Sequence, residues 1–395
     1  MRPTLLSQPQ YNYRKITHYI LCLGFLTLLT GMFWISERSD YHRAFYITLA
    51  LPTFISILLT PRQIPALCSN GIFLAFSFFA SYCLLSLLWS GTDNSASSLI
   101  KRPLYICILF FAVTLITLRN EKHTYYIILA GIALSAISAT LSIGYFLYYD
   151  TSDRLPGYRA LYNPLLTSHV YGMFAAMCVA LLFTLKKTQL PYALIALTIL
   201  CILILMTGSR TPLAGLAATC IWLVLLQRNR IAYSLLVGAI AIVSLLLLLN
   251  PESITSRGLS YRPEIWHQAW LQIQDNLWLG HGYDHPMVFW VDGITYAFAD
   301  PHNMELAVLF SGGAVGLLLW IALYTTAILF AWHSRHDRLA LLASSALIFG
   351  FTAGLTEGNA FLSRPKEHWF LIWIPFSLLA AAWTLQRSKQ HAQTI

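Results

Sequence analysis

Charged residues are scarce in this chain of 395 residues, where they make up only 10% of the sequence. Soluble globular domains carry about 25% charged residues, so the composition excludes a soluble enzyme. The hydrophobic share of 57% also excludes a disordered scaffold. The cysteines do not indicate a disulfide framework, because six of the seven lie inside apolar runs. We therefore expect neither a secreted disulfide domain nor a cysteine-based zinc site.

Acidic residues are the scarcer charged class, 16 against 25 lysines and arginines, which gives a net charge of +9. The basic residues form short clusters between apolar runs and no continuous basic face, so we expect no nucleic-acid partner. The first apolar run is too long for a typical signal-peptide core, and we interpret it as a membrane helix.

Long apolar runs are what the chain has in abundance. Runs of about 16–25 residues are long enough to cross ~30 Å of hydrocarbon, so they predict an all-α polytopic membrane protein with about twelve transmembrane helices. We treat residues 1–395 as a single integral membrane domain. The predicted spans are 16–35, 44–60, 71–90, 103–118, 124–148, 166–185, 190–207, 211–226, 231–249, 303–323, 339–356 and 369–386.

The linkers between spans predict the orientation in the membrane. Short basic linkers alternate with less basic ones, and the basic set is Arg119–His123, Lys186-Lys187, Gln227–Arg230 and His333–Arg338. The positive-inside rule places these linkers and both termini in the cytoplasm. The longest segment on the other side is 250–302, between spans nine and ten, and we expect this large loop to contain short helices and part of the active site.

One amphipathic helix is predicted inside this loop, over residues 261–275, with Ser260 as a plausible N-cap and Pro263 in its first turn. Its apolar face is formed by Ile265, Trp266, Ala269, Trp270 and Ile273. At the start of such a helix, Arg262 and the exposed N–H groups would form an anion site. The alternative is a surface salt bridge to Glu264 or a contact with a lipid headgroup.

Arg210 lies in the sequence GSRTP between spans seven and eight, a turn so short that its side chain must lie at the membrane surface. Pro212 can begin the next helix, so Arg210 also lies beside a helix N-terminus. We interpret this arginine on the less basic side as a ligand for a lipid phosphate. Arg159 and Arg364 follow the same logic on weaker grounds.

The end of the loop leads into span ten through the sequence AFADPHNMELAVLFSGGAVG. We expect Asp300 to cap this helix, with His302 in its first turn. The positive end of a helix disfavours imidazolium, so His302 should tend towards the neutral form that accepts a proton. Gly313 and Gly316, about three turns deeper, should let a neighbouring helix approach closely.

A metal site is the alternative interpretation of the loop. Its candidate ligands are His267, His281, His285, His302, Asp284, Asp292 and Asp300. Their spacing matches no zinc signature, so we predict that the protein needs no metal and no other cofactor.

At this point the residues resemble a known family, the O-antigen ligases, which attach surface polysaccharide to the lipid A–core. His302-Asn303, nine residues, Gly313, two residues and Gly316 fit the signature of that family. The stretch RPEIWHQAW…NLWLGHGYDHP resembles the Arg-x-Glu-aliphatic-Trp and Gly-x-Gly pattern of the wider ligase and polymerase superfamily, and TGSRTPLAG resembles its Ser-Arg turn. These motifs are confined to about 205–316. Either Arg257 or Arg262 can match the loop arginine of the family, and we prefer Arg262 because of the tryptophan and glutamate around it.

The resemblance implies a glycosyltransferase in the bacterial inner membrane with a periplasmic active site. Its donor would be a glycan on undecaprenyl diphosphate, and its acceptor a sugar hydroxyl of lipid A–core. His302 would be the general base, while Arg210 and Arg262 would hold the diphosphate, with inversion at the anomeric carbon and without a metal ion. The further predicted substrate-binding residues are Arg159, Asn303, Arg257 and Arg364.

Three alternatives remain open. An O-antigen polymerase uses the same donor with a second lipid-linked glycan as acceptor, and a protein O-oligosaccharyltransferase transfers to a Ser or Thr hydroxyl. A lipid-glycan transporter is the third, but coupled transport usually places ionisable groups near the bilayer midplane. In these spans His169 and Glu305 are the candidates, and each lies close to the end of a span.

Overall fold

The computed structural model of the chain describes residues 8–149, 152–249 and 261–393. Ser260, the predicted helix cap, and Arg257, a predicted substrate-binding residue, lie outside the described residues.

The described part of the chain is α-helical, and its extended segments contain a single isolated bridge, between Phe289 and Phe298, but no strand. The first seven helices are α1 (Gln8–Thr30), α2 (Arg38–Phe45), α3 (Leu51–Leu59), α4 (Ile64–Cys68), α5 (Gly71–Leu85), α6 (Ala96–Arg119) and α7 (Glu121–Tyr149). Four more precede the large loop: α8 (Pro164–Leu181), α9 (Leu190–Met206), α10 (Thr211–Gln227) and α11 (Arg230–Leu249). The remaining helices are α12 (Arg262–Asp275), α13 (Met304–His333), α14 (Arg338–Gly354), α15 (Glu367–Leu371) and α16 (Trp373–Gln393).

Eight helical stretches of the described residues are long and apolar enough to cross a membrane. They are Lys15–Phe33, Arg38–Leu59, Gly71–Leu88, Ala96–Arg119, Glu121–Tyr149, Pro164–Leu181, Met304–His333 and Glu367–Gln393. Shorter apolar helices, Leu190–Met206, Thr211–Gln227, Arg230–Ala241 and Arg338–Gly354, lie at the other four predicted spans. The all-α class and its membrane-length helices are therefore confirmed, whereas the count of twelve stays a prediction.

The centre of the helical bundle is formed by the stretches that bury most of their surface. The window over Pro164–Leu181 is 83% buried and that over Glu367–Gln393 is 89% buried, so neither presents much surface to lipid. Helix α14 packs against α8, α10 and α16. Asn70 caps α5 through its side-chain oxygen, and its amide donates to Ala380 O at 2.8 Å, which ties α5 to α16. Such side-chain hydrogen bonds between membrane helices satisfy polar groups that lipid cannot satisfy.

Helix α13 is broken at Gly313, whose φ of 59° and ψ of −163° are not helical. Such a backbone conformation is essentially restricted to glycine. The groups freed by the break pair with the segment 277–282, since Ala314 N donates to Leu277 O at 2.8 Å and His281 N donates to Phe310 O at 2.9 Å. The break therefore fixes the middle of the large loop to α13.

Close approach at Gly313 and Gly316 was predicted to involve a neighbouring helix. At Gly313 this is wrong, because a Cβ there would lie 2.4 Å from Trp278 O and 2.5 Å from Gly280 N, in a loop. At Gly316 the nearest side chain is Tyr82 of α5, 3.3 Å from an added Cβ. The loop segment approaches because its backbone supplies the hydrogen bonds that the broken helix lacks.

Helix α12 confirms the predicted amphipathic helix, and its apolar face packs on protein. Ile265, Ala269 and Ile273 are buried against Phe289 of the extended segment and Phe310 of α13. Trp270, which was predicted to belong to this face, is 44% exposed. The buried face is thus narrower than predicted, because only the i, i+4, i+8 row of Ile265, Ala269 and Ile273 is buried in this helix.

Gly313→Ala should destabilise the protein, because alanine is strained at this φ and its Cβ would clash with backbone that cannot move aside. We expect a loss of roughly 1–3 kcal/mol from the backbone strain alone. The matched control is Gly312→Ala, whose Cβ would have its nearest neighbour 3.4 Å away in the Tyr82 ring. Thermal unfolding of the two purified variants in detergent measures the difference, and equal melting temperatures would contradict the account of the break.

Candidate active site

The candidate active site is organised around the carboxylate of Glu357, which is 3% exposed and lies in the loop after α14. Arg262 forms an ion pair with one carboxylate oxygen, Oε1. His302 Nδ1 lies 3.5 Å from the other oxygen, Oε2. The structure therefore brings together two of the three predicted catalytic residues through a third group, because a buried carboxylate needs partners that compensate its charge.

Arg262 is the first residue of α12, where Pro263 suits the first turn as predicted. Its Nε donates to Thr356 O at 3.0 Å, in addition to the ion pair of Nη2 with Glu357. Among the described residues Arg262 forms no salt bridge with Glu264, so the surface pair considered from sequence is not formed. Charge-assisted hydrogen bonds of this kind fix a guanidinium in orientation as well as position.

His302 lies immediately before α13, in a backbone conformation with φ of 49°. Asn303 caps α13, because its Oδ1 accepts from Leu306 N at 2.8 Å. Asp300 Oδ1 instead accepts from His302 N at 2.7 Å. The prediction that Asp300 caps the helix is therefore wrong, and His302 lies one residue before the N-cap instead of in the first turn.

The direction in which the surroundings shift the pKa of His302 also differs from the prediction. A hydrogen bond to Glu357 raises the pKa of His302 above its ordinary value, and the charge of Asp300 adds to this effect. Burial and the charge of Arg262 act in the opposite direction but are outweighed. The expectation of a neutral imidazole considered the helix end alone, whereas two nearby carboxylates favour imidazolium.

Arg210 is exposed at the N-cap of α10, as its sequence predicted. The turn before it is held by Arg154, whose Nε donates to Thr207 O at 2.7 Å. The next residue, Thr211, lies 3.1 Å from Thr356 between the two hydroxyl oxygens. Arg210 is thereby placed beside the segment that carries Glu357, although it lies on a different helix from Arg262.

Both polar atoms of the Asn303 side-chain amide form hydrogen bonds within the protein. Besides capping α13, its Nδ2 donates to Leu355 O at 2.9 Å, two residues before Glu357. It therefore positions His302 relative to the loop that carries Glu357, and its predicted contact with substrate stays a prediction.

Two predicted substrate-binding arginines, Arg159 and Arg364, do not belong to the Glu357 cluster. Arg159 lines a cavity of about 760 Å³ together with Trp34 and Tyr145, and its guanidinium stacks 5.6 Å from the centre of the Tyr158 ring. Arg364 lines a different cavity, of about 620 Å³. Within the described ranges neither residue forms a hydrogen bond or an ion pair with His302.

The loop histidines do not form a metal-binding group in the described part of the chain. His281 Nε2 lies 2.9 Å from Gln272 O, and His285 Nδ1 contacts Ser90 O, so both rings bond to backbone. One group among the described residues has ligand atoms within 4.8 Å of one another, as a metal site requires, and it consists of His18, Cys22 and His123. It lies on α1 and α7 and has no contact with the Glu357 cluster.

Glu357 was not predicted from the sequence. Its signal there is modest: an acidic residue after a glycine-rich helix end, GLTEGN, in an outer loop that carries few other acids. Its partner Arg262 lies 95 residues away, and local pattern does not reveal such a pairing.

Comparison with known proteins identifies the family of the chain. Residues 194–321 match the family described as O-antigen ligase, a range that contains Arg210, Arg262 and His302. The chain is also 50% identical over 390 residues to the O-antigen ligase of Pseudomonas aeruginosa strain PAO1, covering 97% of this chain and 96% of that protein. Identity of this extent over nearly the whole of both chains shows common family membership: the chain belongs to the O-antigen ligase family.

Proposed function

We propose that this protein transfers a glycan from undecaprenyl diphosphate to a sugar hydroxyl of lipid A–core. The acceptor oxygen attacks the anomeric carbon, the bond from that carbon to the diphosphate oxygen breaks, and the hydroxyl proton passes to His302. The diphosphate leaves with the electron pair, and the configuration at the anomeric carbon inverts. The observation that carries the proposal is the cluster of His302, Glu357 and Arg262 in a chain of this family.

His302 is suited to the role of base by its surroundings. Its Nδ1 faces Glu357, while Nε2 forms no hydrogen bond with the described residues, and the side chain is 34% exposed. Nε2 is therefore available to a hydroxyl, and the carboxylate stabilises the imidazolium that proton transfer creates. General-base catalysis of this kind contributes roughly 10²–10⁴-fold to a rate.

The arginines are suited to the diphosphate. Arg262 is fixed by Thr356 and Glu357, and its Nη1 has no partner among the described residues. Arg210 presents a second guanidinium from the adjacent turn, at the start of a helix whose N–H groups also attract anions. Donors fixed in advance around a leaving group stabilise the charge that develops on it.

The setting of the reaction follows from the membrane helices. The positive-inside pattern supports an inner-membrane protein with cytoplasmic termini, and the lipid-linked donor and acceptor are then both within reach of the site from the periplasmic side. We propose that 1–395 is one membrane domain whose 250–302 loop supplies Arg262 and part of the site. We propose no metal and no cofactor, since His302 and the arginines supply the base and the cations.

Complementation tests the proposed function. A Gram-negative strain that lacks its ligase, but makes a matching core and polymer, is supplied with the gene, and its lipopolysaccharide is run on a gel. The proposal expects a polymer ladder on lipid A–core. Well-expressed protein with polymer left on its lipid carrier would contradict it and would favour the polymerase, which a strain lacking that enzyme then tests.

His302→Ala should lower transfer by roughly 10²–10⁴-fold, the usual effect of removing a general base. The matched control is His267→Ala, because His267 is an exposed histidine on α12 outside the cluster. Transfer is measured with purified protein, lipid-linked donor and lipid A–core. Normal transfer by the His302→Ala protein would remove this residue from the mechanism.

Arg210→Ala should lower transfer by roughly 10²–10³-fold, as expected when a donor to developing charge is lost. Arg210→Lys retains the charge without the planar fork and should lose less activity. Membrane levels of both proteins should match the unsubstituted protein. An Arg210→Ala protein with full activity would show that Arg262 suffices for the diphosphate.

Glu357→Gln should shift the pH dependence of transfer. Because Glu357 raises the pKa of His302, removing its charge lowers that pKa. A base must be neutral to act, so kcat/KM declines as the pH falls through the pKa of His302, and this decline should move to lower pH in Glu357→Gln. The maximal rate should also fall, because the imidazolium loses its counter-charge.

The matched control for this experiment is Glu264→Gln, which removes an exposed carboxylate two residues from Arg262. Its pH profile should coincide with that of the unsubstituted protein. A Glu357→Gln profile with an unchanged acidic limb would show that a group other than His302 determines it.

A further inference from the structure

A second basic site lies next to the Glu357 cluster, in the cavity of about 620 Å³. Its volume is within the ~300–1,000 Å³ typical of small-molecule sites. Four cationic side chains from three parts of the chain line it: Arg38, Arg102, Arg364 and Lys366. Asp284 is the carboxylate among the residues that line it.

Two of these cations are held by carboxylates. Arg38 Nη2 lies 2.5 Å from Glu367 Oε1, and Arg102 Nη1 lies 2.8 Å from Asp284 Oδ1. The Asp284 carboxylate also accepts from Thr92 and Asn94, so it is already well satisfied. Arg38 Nε nevertheless remains buried without a partner in the described structure. These ion pairs fix two guanidinium groups in the cavity wall, and at least one of their N–H donors, Arg38 Nε, has no partner among the described residues.

The other two cations have no such partner. Neither Arg364 nor Lys366 forms an ion pair with a carboxylate of the described residues. Burial lowers the pKa of Lys366, and the charges of Arg38 and Arg102 act in the same direction, against those of Glu367 and Asp300. The cavity therefore carries an excess of positive charge, which an anion would balance.

The segment that bears these two cations is held rigidly. Side chains from several elements bond to its backbone carbonyls: Tyr283 OH to Leu362 O at 3.0 Å, His42 Nε2 to Pro365 O at 2.9 Å and Trp369 Nε1 to Ser363 O at 3.1 Å. A segment fixed in this way loses little freedom when it binds a ligand.

The cavity adjoins the candidate active site. Asn359 and Ala299 both line it, and Asn359 Nδ2 lies 3.3 Å from Ala299 O. Asn359 is two residues after Glu357, and Ala299 is three residues before His302. Lys366 also interacts electrostatically with Asp300, the residue that binds the backbone of His302. A ligand in the cavity can therefore extend to the base.

We infer that this cavity binds a phosphate group of the acceptor, so that a phosphorylated sugar near the attacking hydroxyl is recognised by Arg364 and Lys366 together with Arg38 and Arg102. The inference rests on the proposed function and adds the chemical group, a phosphate, by which the protein would recognise its acceptor. The phosphate of the donor is a distinct source of the same chemistry, and we place it at Arg210 and Arg262.

The test uses the full-length protein in detergent with lipid-linked donor and two acceptors, lipid A–core and the same lipid A–core after enzymatic removal of its phosphates. The variant is Arg364→Gln combined with Lys366→Gln, and Arg364→Gln alone serves if the double variant folds poorly, since Arg364 is exposed. The matched control is Lys101→Gln, which removes an exposed charge beside Arg102 without lining the cavity.

The inference expects the KM for intact acceptor to rise roughly tenfold in the variant, about the effect of one lost charge-assisted hydrogen bond, with the KM for donor unchanged. Dephosphorylation should raise the KM of the unsubstituted protein to a similar level and should scarcely affect the variant. Lys101→Gln should behave as the unsubstituted protein.

Other results would overturn the inference. A rise in the donor KM would place the donor diphosphate in the cavity, and equal losses on dephosphorylation in both proteins would show that the acceptor phosphate binds elsewhere. If even the unsubstituted protein transfers nothing, the proposed function fails. In that case the role of the cavity is tested separately, by measuring the binding of lipid A–core to the His302→Ala protein with and without the cavity substitutions. Unchanged binding would refute the inference.

Discussion

The burial of a single carboxylate, that of Glu357, is the constraint on which this end of the protein depends. A charge removed from water is costly unless it is paired and hydrogen-bonded. Its partners, Arg262 and His302, both come from the large loop, Arg262 from the start of α12 and His302 from the end of the loop, and neither comes from the helices next to Glu357. The loop can therefore adopt few other positions, because moving either partner away leaves a buried charge uncompensated.

The family signature acquires a physical meaning from the same arrangement. His302 and Gly313 bound the first stretch of α13, and each end of that stretch is fixed to the large loop. At one end Trp266 Nε1 donates to Pro301 O at 2.8 Å, and at the other the break at Gly313 pairs with the segment 277–282. The spacing from histidine to glycine is thus the distance between two attachment points, which sets the position of His302 over the bundle.

The grouping of Arg262 with His302 was implied by the family resemblance, whereas local pattern was sufficient to predict the membrane-length helices and α12. It failed where distant residues decide the outcome. Aspartate is a residue type that often caps helices, yet Asn303 caps α13, because its amide also donates to Leu355 O. Glu357 was not predicted for the same reason: its partners lie far along the chain, and no local spacing in the sequence indicates such a pairing.

The raised pKa of His302 follows from this long-range pairing and changes how its role as a base is understood. A helix end alone would keep the imidazole neutral but would also oppose the imidazolium that proton transfer produces. Glu357 and Asp300 favour that imidazolium instead. Under the proposed function, the pair of carboxylates makes His302 a stronger acceptor of the hydroxyl proton, while the charge of Arg262 acts against this rise of its pKa. The carboxylate that fixes the loop in place therefore also sets the strength of the base.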